Sequence, residues 1–165
     1  MKKCKMLALD ISSTNTGWAI FDNGNYTESG AIATPKDVKS KMDYMMDALI
    51  GFIRLRKPDI VVVEEPVYAH GDPRAFQTLA MICGVVLYWS HIVEADFSSM
   101  RPSEWRKLVT DKDEHRPRKR VELKAWDLAK AKELFAKDFE TDDEADAVLI
   151  GQAYLNYWEK LDVSK

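Results

Sequence analysis

The run Ile60-Val61-Val62-Val63 constrains the fold of this chain more than any other segment. Four consecutive β-branched residues favour extended backbone and offer no polar position to solvent, so the segment reads as a strand buried on both faces. Pro58-Asp59 opens it and Glu64-Glu65-Pro66 closes it. A strand covered on both faces requires layers above and below its sheet, which predicts an α/β domain.

The flanking sequence supplies those layers. Met6–Asp10 is a short apolar strand ending on a carboxylate. Ser12–Gly17 is a turn of small polar residues, and Trp18–Phe21 a second strand. Asp22-Asn23-Gly24-Asn25 is a hairpin signal leading into a third strand, about Tyr26–Ala33, with Gly30 expected as a bulge. From Val38 to Arg56, apolar Met42, Met45, Met46, Leu49, Ile50 and Ile53 recur at spacings of three and four, the period of an amphipathic helix. Asp72-Pro73 is a helix start, and the segment to His91 is apolar nearly all round, which predicts burial or an interface. A fifth strand is expected over Ile92–Phe97, a helix capped by Ser103 through Thr110, and a longer helix over Lys119–Lys137. Thr141-Asp142-Asp143-Glu144 fits the capping box of a last helix. The order β-β-β-α-β-α-β-α-α-α predicts one domain over residues 1–165. Its mixed five-stranded sheet has three antiparallel strands plus two parallel ones, with helices on both faces.

Composition sets the outer limits. At 165 residues, with 46% hydrophobic and 31% charged, the chain is an ordinary globular domain in size and make-up. Its longest apolar run, Leu79–Trp89, is 11 residues, against about 20 for a membrane span, so no membrane partner is expected. No signal peptide is legible, and Cys4 and Cys83 show neither metal spacing nor a disulfide framework, which predicts a cytoplasmic protein. The net charge of -3 hides an uneven distribution. Residues 101–138 hold 12 Lys/Arg against 8 Asp/Glu, while the remainder holds 12 against 19. A basic stretch within an acidic body permits polyanion binding.

The acids are placed informatively. Asp10 and Glu64 end two strands, and if those strands are parallel neighbours both carboxylates emerge at the sheet edge where α/β proteins place their sites. Asp143 and Asp146 are three apart in the first turns of a helix and share a face. An Asp after a strand is commonly a turn former, and one at a helix start suits the helix dipole. Four together repel strongly unless cations lie among them. All-oxygen ligation points to Mg²⁺, with Mn²⁺ as substitute, and two such ions suit phosphodiester hydrolysis.

Three motifs in order carry a resemblance. Asp10-Ile11-Ser12-Ser13-Thr14-Asn15-Thr16-Gly17-Trp18 resembles the opening motif of the RuvC-type Holliday-junction resolvases, a catalytic Asp followed by Ser, then Thr-Gly and an aromatic residue. Pro58-Asp59 followed by Glu64 is similar to the family's second acidic strand. Asp143-Glu144-Ala145-Asp146-Ala147 is similar to its terminal Asp-x-x-Asp-Ala motif. Ile11-Ser12 stand where the bacterial pattern has Pro-Gly, which suggests a divergent, phage-type branch. Counting from Pro58-Asp59 selects Glu64, whereas counting back from Tyr68 selects Glu65 as the alternative.

The resemblance implies an RNase H-like fold and a homodimer making paired nicks at four-way DNA junctions. Asp10, Glu64, Asp143 and Asp146 would be both catalytic residues and ligands of two Mg²⁺, leaving 5′-phosphate and 3′-hydroxyl ends. Arg106, Lys107, Arg118, Lys119, Arg120 and Lys124 are candidate phosphate contacts, with Lys107 and Lys124 matching the family's basic positions most closely. Tyr68 is the candidate to stack on a base at the junction. His70 and His115 read as surface residues. Competing readings are another RNase H-like nuclease cutting RNA–DNA hybrids, flaps or forks, an actin-like phosphotransferase fragment, and an inactive nucleic-acid-binding module.

Overall fold

The computed structural model describes residues 4–68 and 72–163. In chain order they form β1 (Lys5–Asp10), β2 (Asn15–Asp22), β3 (Asn25–Ala33), α1 (Lys41–Arg56), β4 (Ile60–Glu64), α2 (Pro73–Ile92), β5 (Asp96–Met100), α3 (Pro102–Val109), α4 (Arg120–Phe135) and α5 (Asp142–Val163). The sheet order is β3-β2-β1-β4-β5. β1, β2 and β3 form an antiparallel meander, while β4 runs parallel to β1 and β5 parallel to β4. The β-branched run is thus the second strand from one edge, with covered faces, as its composition requires.

Period-2 alternation sends the two faces of the sheet into two cores. Leu7, Leu9, Ile20, Val61 and Val63 pack with Met45, Leu49 and Ile53 of α1 and Ile82 and Val86 of α2. Met6, Ala8, Ala19, Phe21 and Val62 pack with Trp105 of α3, Ala131 of α4 and the row Ala145, Val148, Leu149 and Ala153 of α5. This parity decides which acids face which layer. Asp10 continues the row Met6–Ala8 and Glu64 follows Val62, so both belong to the side carrying α3, α4 and α5.

Several local expectations shift, each for a visible reason. The bulge lies across Ile20/Phe21, where Ile20 pairs with Glu28 and Phe21 with Tyr26, so Thr27 is the extra residue. Gly30 pairs regularly with Trp18; a Cβ there would stand 2.9 Å from the indole, so its absence makes room for the ring. Asn23 and Gly24, at φ 53° and 81°, make the two-residue hairpin loop. β5 begins at Asp96 rather than Ile92, because α2 runs on through Ile92 and the chain turns at Glu94, φ 61°. α3 is capped at Arg101, whose N–H donates to Glu104, with Pro102 as first residue. The α5 capping box is half formed. Thr141 Oγ1 accepts from the Glu144 N–H at 3.1 Å, but the Glu144 carboxylate accepts from Ser29 and from the Glu140 N–H. α2 is only partly interior: Ile82, Val86 and Ser90 are buried, whereas Met81, Leu87, Tyr88 and Ile92 are exposed. By length and composition alone this helix could cross a membrane, well beyond the apolar run visible in the sequence.

Candidate active site

The loop leaving β1 is organised by its own small residues. Thr16, fully buried, donates its hydroxyl to Ser12 O at 2.8 Å and accepts from the Ser12 N–H at 3.0 Å. Ser12 Oγ accepts from the N–H groups of Thr14 and Asn15. The backbone donors freed at the strand end are thereby satisfied, and the chain returns antiparallel with Gly17 opposite Asp10.

Gly17 is where the terminal helix comes down. A Cβ built there would stand 1.8 Å from the carbonyl oxygen of Asp143. The first turn of α5 therefore lies directly on β2, one strand from Asp10. β1 and β4 pair in parallel up to Leu9–Val63, so Asp10 and Glu64 leave neighbouring strands at the same edge.

The four carboxyls also act on one another electrostatically. Burial pushes the Asp10 carboxyl well above the usual carboxylate range, with the charges of Glu64 and Asp143 adding to the rise. Asp146 is raised likewise by burial and by Asp10, Asp127 and Glu64. Glu64 is raised by burial, against the opposing effects of a Trp105 hydrogen bond and the Arg106 charge. Burial raises Asp143, opposed by Asn15 and Lys124. Each of the four is costly to ionise where it stands.

Individual carboxylates are aimed by neutral donors. Trp105 Nε1 donates to Glu64 Oε2 at 2.6 Å, and Asn15 Nδ2 donates to Asp143 Oδ2. Asp146 Oδ1 is buried with no hydrogen-bond partner among the described residues. As placed, no three or more His, Cys, Asp or Glu among the described residues are drawn into ligating geometry; the acids share a field rather than a cage. Glu65 faces away and pairs with Arg101 at 3.4 Å.

The basic candidates divide into two groups. Arg106 turns inward: its guanidinium binds Asp127 at 3.0, 3.2 and 2.9 Å, lies 3.9 Å from Asp146 Oδ2 and stacks 4.0 Å from the Trp105 ring centroid. Lys124 is held by Asp142. Lys119 pairs with Glu122 at 3.3 Å on an exposed helix start. Lys107 and Arg118, with His115 and Arg116, line a groove between α3 and the loop before α4, while Arg120 is exposed beside it. Tyr68 is 60% exposed, with Phe76 edge-on at 6.0 Å. His70 lies outside the described residues.

Trp105, Asn15 and Asp127 contact the candidate site and were missed by sequence reasoning. Only Asp127 left a signal: it stands three and four residues before Lys130 and Ala131, on the inward stripe of α4, where a charge requires a partner.

No protein-family model matches the sequence, and no curated protein matches it. Solved structures do. RuvC of T. thermophilus, in complex with a Holliday junction substrate, aligns with a TM-score of 0.72 at 12% identity, over 94% of this chain and 96% of that one. The yeast mitochondrial Holliday junction resolvase Ydc2 gives 0.68 at 12% identity, over 98% and 81%. The fowlpox virus Holliday junction resolvase gives 0.63 at 14% identity, over 93% and 99%. At such identities the likeness speaks for architecture, and the chain has the RNase H-like fold of the RuvC-type Holliday junction resolvases.

Proposed function

We propose that this chain is a divalent-metal-dependent endonuclease that resolves four-way DNA junctions as a homodimer, making paired nicks in strands of like polarity. The observation that carries the reading is the meeting of Asp10, Glu64, Asp143 and Asp146 in one electrostatic neighbourhood, from three separate segments, at the carboxyl edge of a resolvase fold. Junction selectivity is supported by the near full-length likeness to resolvases of a bacterium, a yeast mitochondrion and a virus.

The donor set fits Mg²⁺. All four candidate ligands offer carboxylate oxygen, and the unpartnered Asp146 Oδ1 is a buried acceptor that a cation would satisfy. Asp10, Glu64, Asp143 and Asp146 would hold two ions, which when bound supply neutralisation of the scissile phosphate and a water of lowered pKa. Trp105 and Asn15 fix the rotamers of Glu64 and Asp143, so less ordering is left to occur on binding. Lys107, Arg116 and Arg118 give the groove beside the site a positive lining for a phosphate backbone. Tyr68, exposed at the exit of β4, would stack on an unpaired base. The exposed apolar side of α2, with Met81, Leu87 and Tyr88, is the proposed contact between protomers.

The test is cleavage of a synthetic mobile four-way junction with Mg²⁺, beside flap, RNA–DNA hybrid and linear duplex substrates. Symmetric nicks on the junction are expected, and Asp10→Asn or Asp146→Asn abolishes them while junction binding persists. Cleavage of the hybrid with the junction left intact, or undiminished cleavage by either variant, would refute the proposal.

A further inference from the structure

Asp127 is fully buried on α4, yet it is not among the four acids assigned to the ions. Its carboxylate takes a bidentate grip on Arg106, whose guanidinium reaches into the acidic cluster. Arg106 in turn lies 3.9 Å from Asp146 Oδ2 and bears electrostatically on Asp10 and Glu64 as well. Released from Asp127, that guanidinium needs to move only about 1 Å to form a charge-assisted bond with Asp146. The Trp105 ring, its centroid 4.0 Å from the guanidinium carbon, covers one side of the group.

The charges around the site make the arrangement purposeful. Arg106 is matched by Asp127 and Lys124 by Asp142, so the two cations that bear on Asp10 each have an acid of their own. Asp10, Glu64, Asp143 and Asp146, once ionised, would then supply four formal negative charges, the complement of two divalent ions. Were Arg106 free, it would neutralise one of the four and occupy Asp146.

We infer that Asp127 is a positioning residue that restrains Arg106 from competing with divalent cations for Asp146, and thereby sets the metal affinity of the site. The inference rests on the two-ion reading above and specifies how this chain keeps the site receptive.

The experiment is calorimetric titration of the full chain with Mn²⁺ alone, without DNA, on four proteins: wild type, Asp127→Asn, Arg106→Gln, and Arg106→Gln/Asp127→Asn. Asp127→Asn is expected to weaken Mn²⁺ binding by about 10-fold or more, the usual effect of losing a group that orients a ligand. The double variant, with the competing cation also gone, is expected to recover to within about 3-fold of wild type, and Arg106→Gln to bind at least as tightly as wild type. A merely structural role predicts a double variant as weak as the single one, and that result overturns the inference. So does unchanged binding by Asp127→Asn. Should Asp127→Asn fail to fold, as thermal denaturation would reveal, the two variants lacking Arg106 decide: weaker binding than wild type in both overturns the inference. Absence of Mn²⁺ binding by the wild type overturns the two-ion reading along with it, whereas wild-type binding without the variant pattern overturns this inference alone.

Discussion

Gly17→Ala probes the contact that holds two acidic segments together. The backbone of β2 is regular there, and the positive-φ glycine of the described residues is Gly24, so the added methyl acts through space alone. Its Cβ would stand 1.8 Å from the Asp143 carbonyl oxygen and 2.3 Å from its carbonyl carbon, both main-chain atoms with no rotamer to escape into. Restoring even 3.0 Å requires the α5 start to retreat by about 1.2 Å, carrying Asp143 and Asp146 away from Asp10. Overpacking costs about 1–3 kcal/mol, and a backbone obstacle belongs at the upper end. For a chain of this size that lowers Tm by roughly 6–12 °C. A displacement of that order at a reacting centre costs about 100-fold in rate. The comparison is Gly151→Ala in the same helix, whose Cβ would meet the Phe21 ring at 2.2 Å. A ring can tilt, so Tm falls comparably while junction cleavage per folded molecule falls by less than about 10-fold. Thermal denaturation by circular dichroism and single-turnover cleavage well below Tm measure both. Wild-type cleavage by folded Gly17→Ala, or equal loss in the two variants, would show that the α5–β2 contact does not set the site.

Two further outcomes follow from charges buried beside the site. Lys130, only 2% exposed, gathers Asp111, Glu114 and Glu133 at 2.7, 3.0 and 3.3 Å and so ties the loop before α4 to that helix. Because Asp111 and Glu133 are largely exposed, Lys130→Met should cost only about 2 kcal/mol and roughly 4–8 °C in Tm, with faster proteolysis within residues 110–119; unaltered proteolysis would count against the clasp. Asp10, Asp146, Glu64 and Asp143 all have carboxyls raised by folding. The folded protein then holds protons that the unfolded chain has released. Stability is full below the ordinary carboxylate range and is lost as pH rises through the raised values. In chelator, Tm should fall as pH rises above the ordinary carboxylate range of about 4; a flat profile in wild type, or one as steep in Asp10→Asn/Asp146→Asn, would disprove the assignment.

The legibility of this chain follows the physics of each segment. Elements that announce themselves locally, such as the Asn23-Gly24 hairpin, the Met45–Leu49–Ile53 stripe and the Asp72-Pro73 start, lie where the sequence puts them. The register of β5 was not legible, because Ile92, Val93 and Phe97 suit a strand as well as a helix end, and only packing on the sheet decides. The choice between Glu64 and Glu65 has the same origin. Alternation reveals which way a side chain faces, and Ile60-Val61-Val62-Val63 does not alternate. Only the membership of Val62 in the α5-side core assigns Glu64 to the side of Asp10. The partners of the acids, Trp105 and Asn15, are uncharged and distant in sequence, and nothing about either residue type marks it as a support.

Charge pairing also explains how an acidic protein can present a basic groove. Within residues 101–138 the acids are largely consumed internally: Asp127 by Arg106, Asp111, Glu114 and Glu133 by Lys130, Glu122 by Lys119, and Asp138 by Lys132. Lys107, Lys112, Arg116, Arg118 and Arg120 enter none of the salt bridges among the described residues, and Lys107, Arg116 and Arg118 share the groove beside the carboxylates. One lysine holding three acids thus leaves several cations unspent, and the net charge of -3 says nothing about that groove. Since the groove shares Arg106 with the acid cluster, the two fields lie within about a Debye length and would act together on one bound polyanion. Under the proposed function the groove would attract the phosphates on either side, while the four carboxylates would repel the one between them. Only cationic charge among Asp10, Glu64, Asp143 and Asp146 makes the two compatible, so metal and DNA should each strengthen binding of the other.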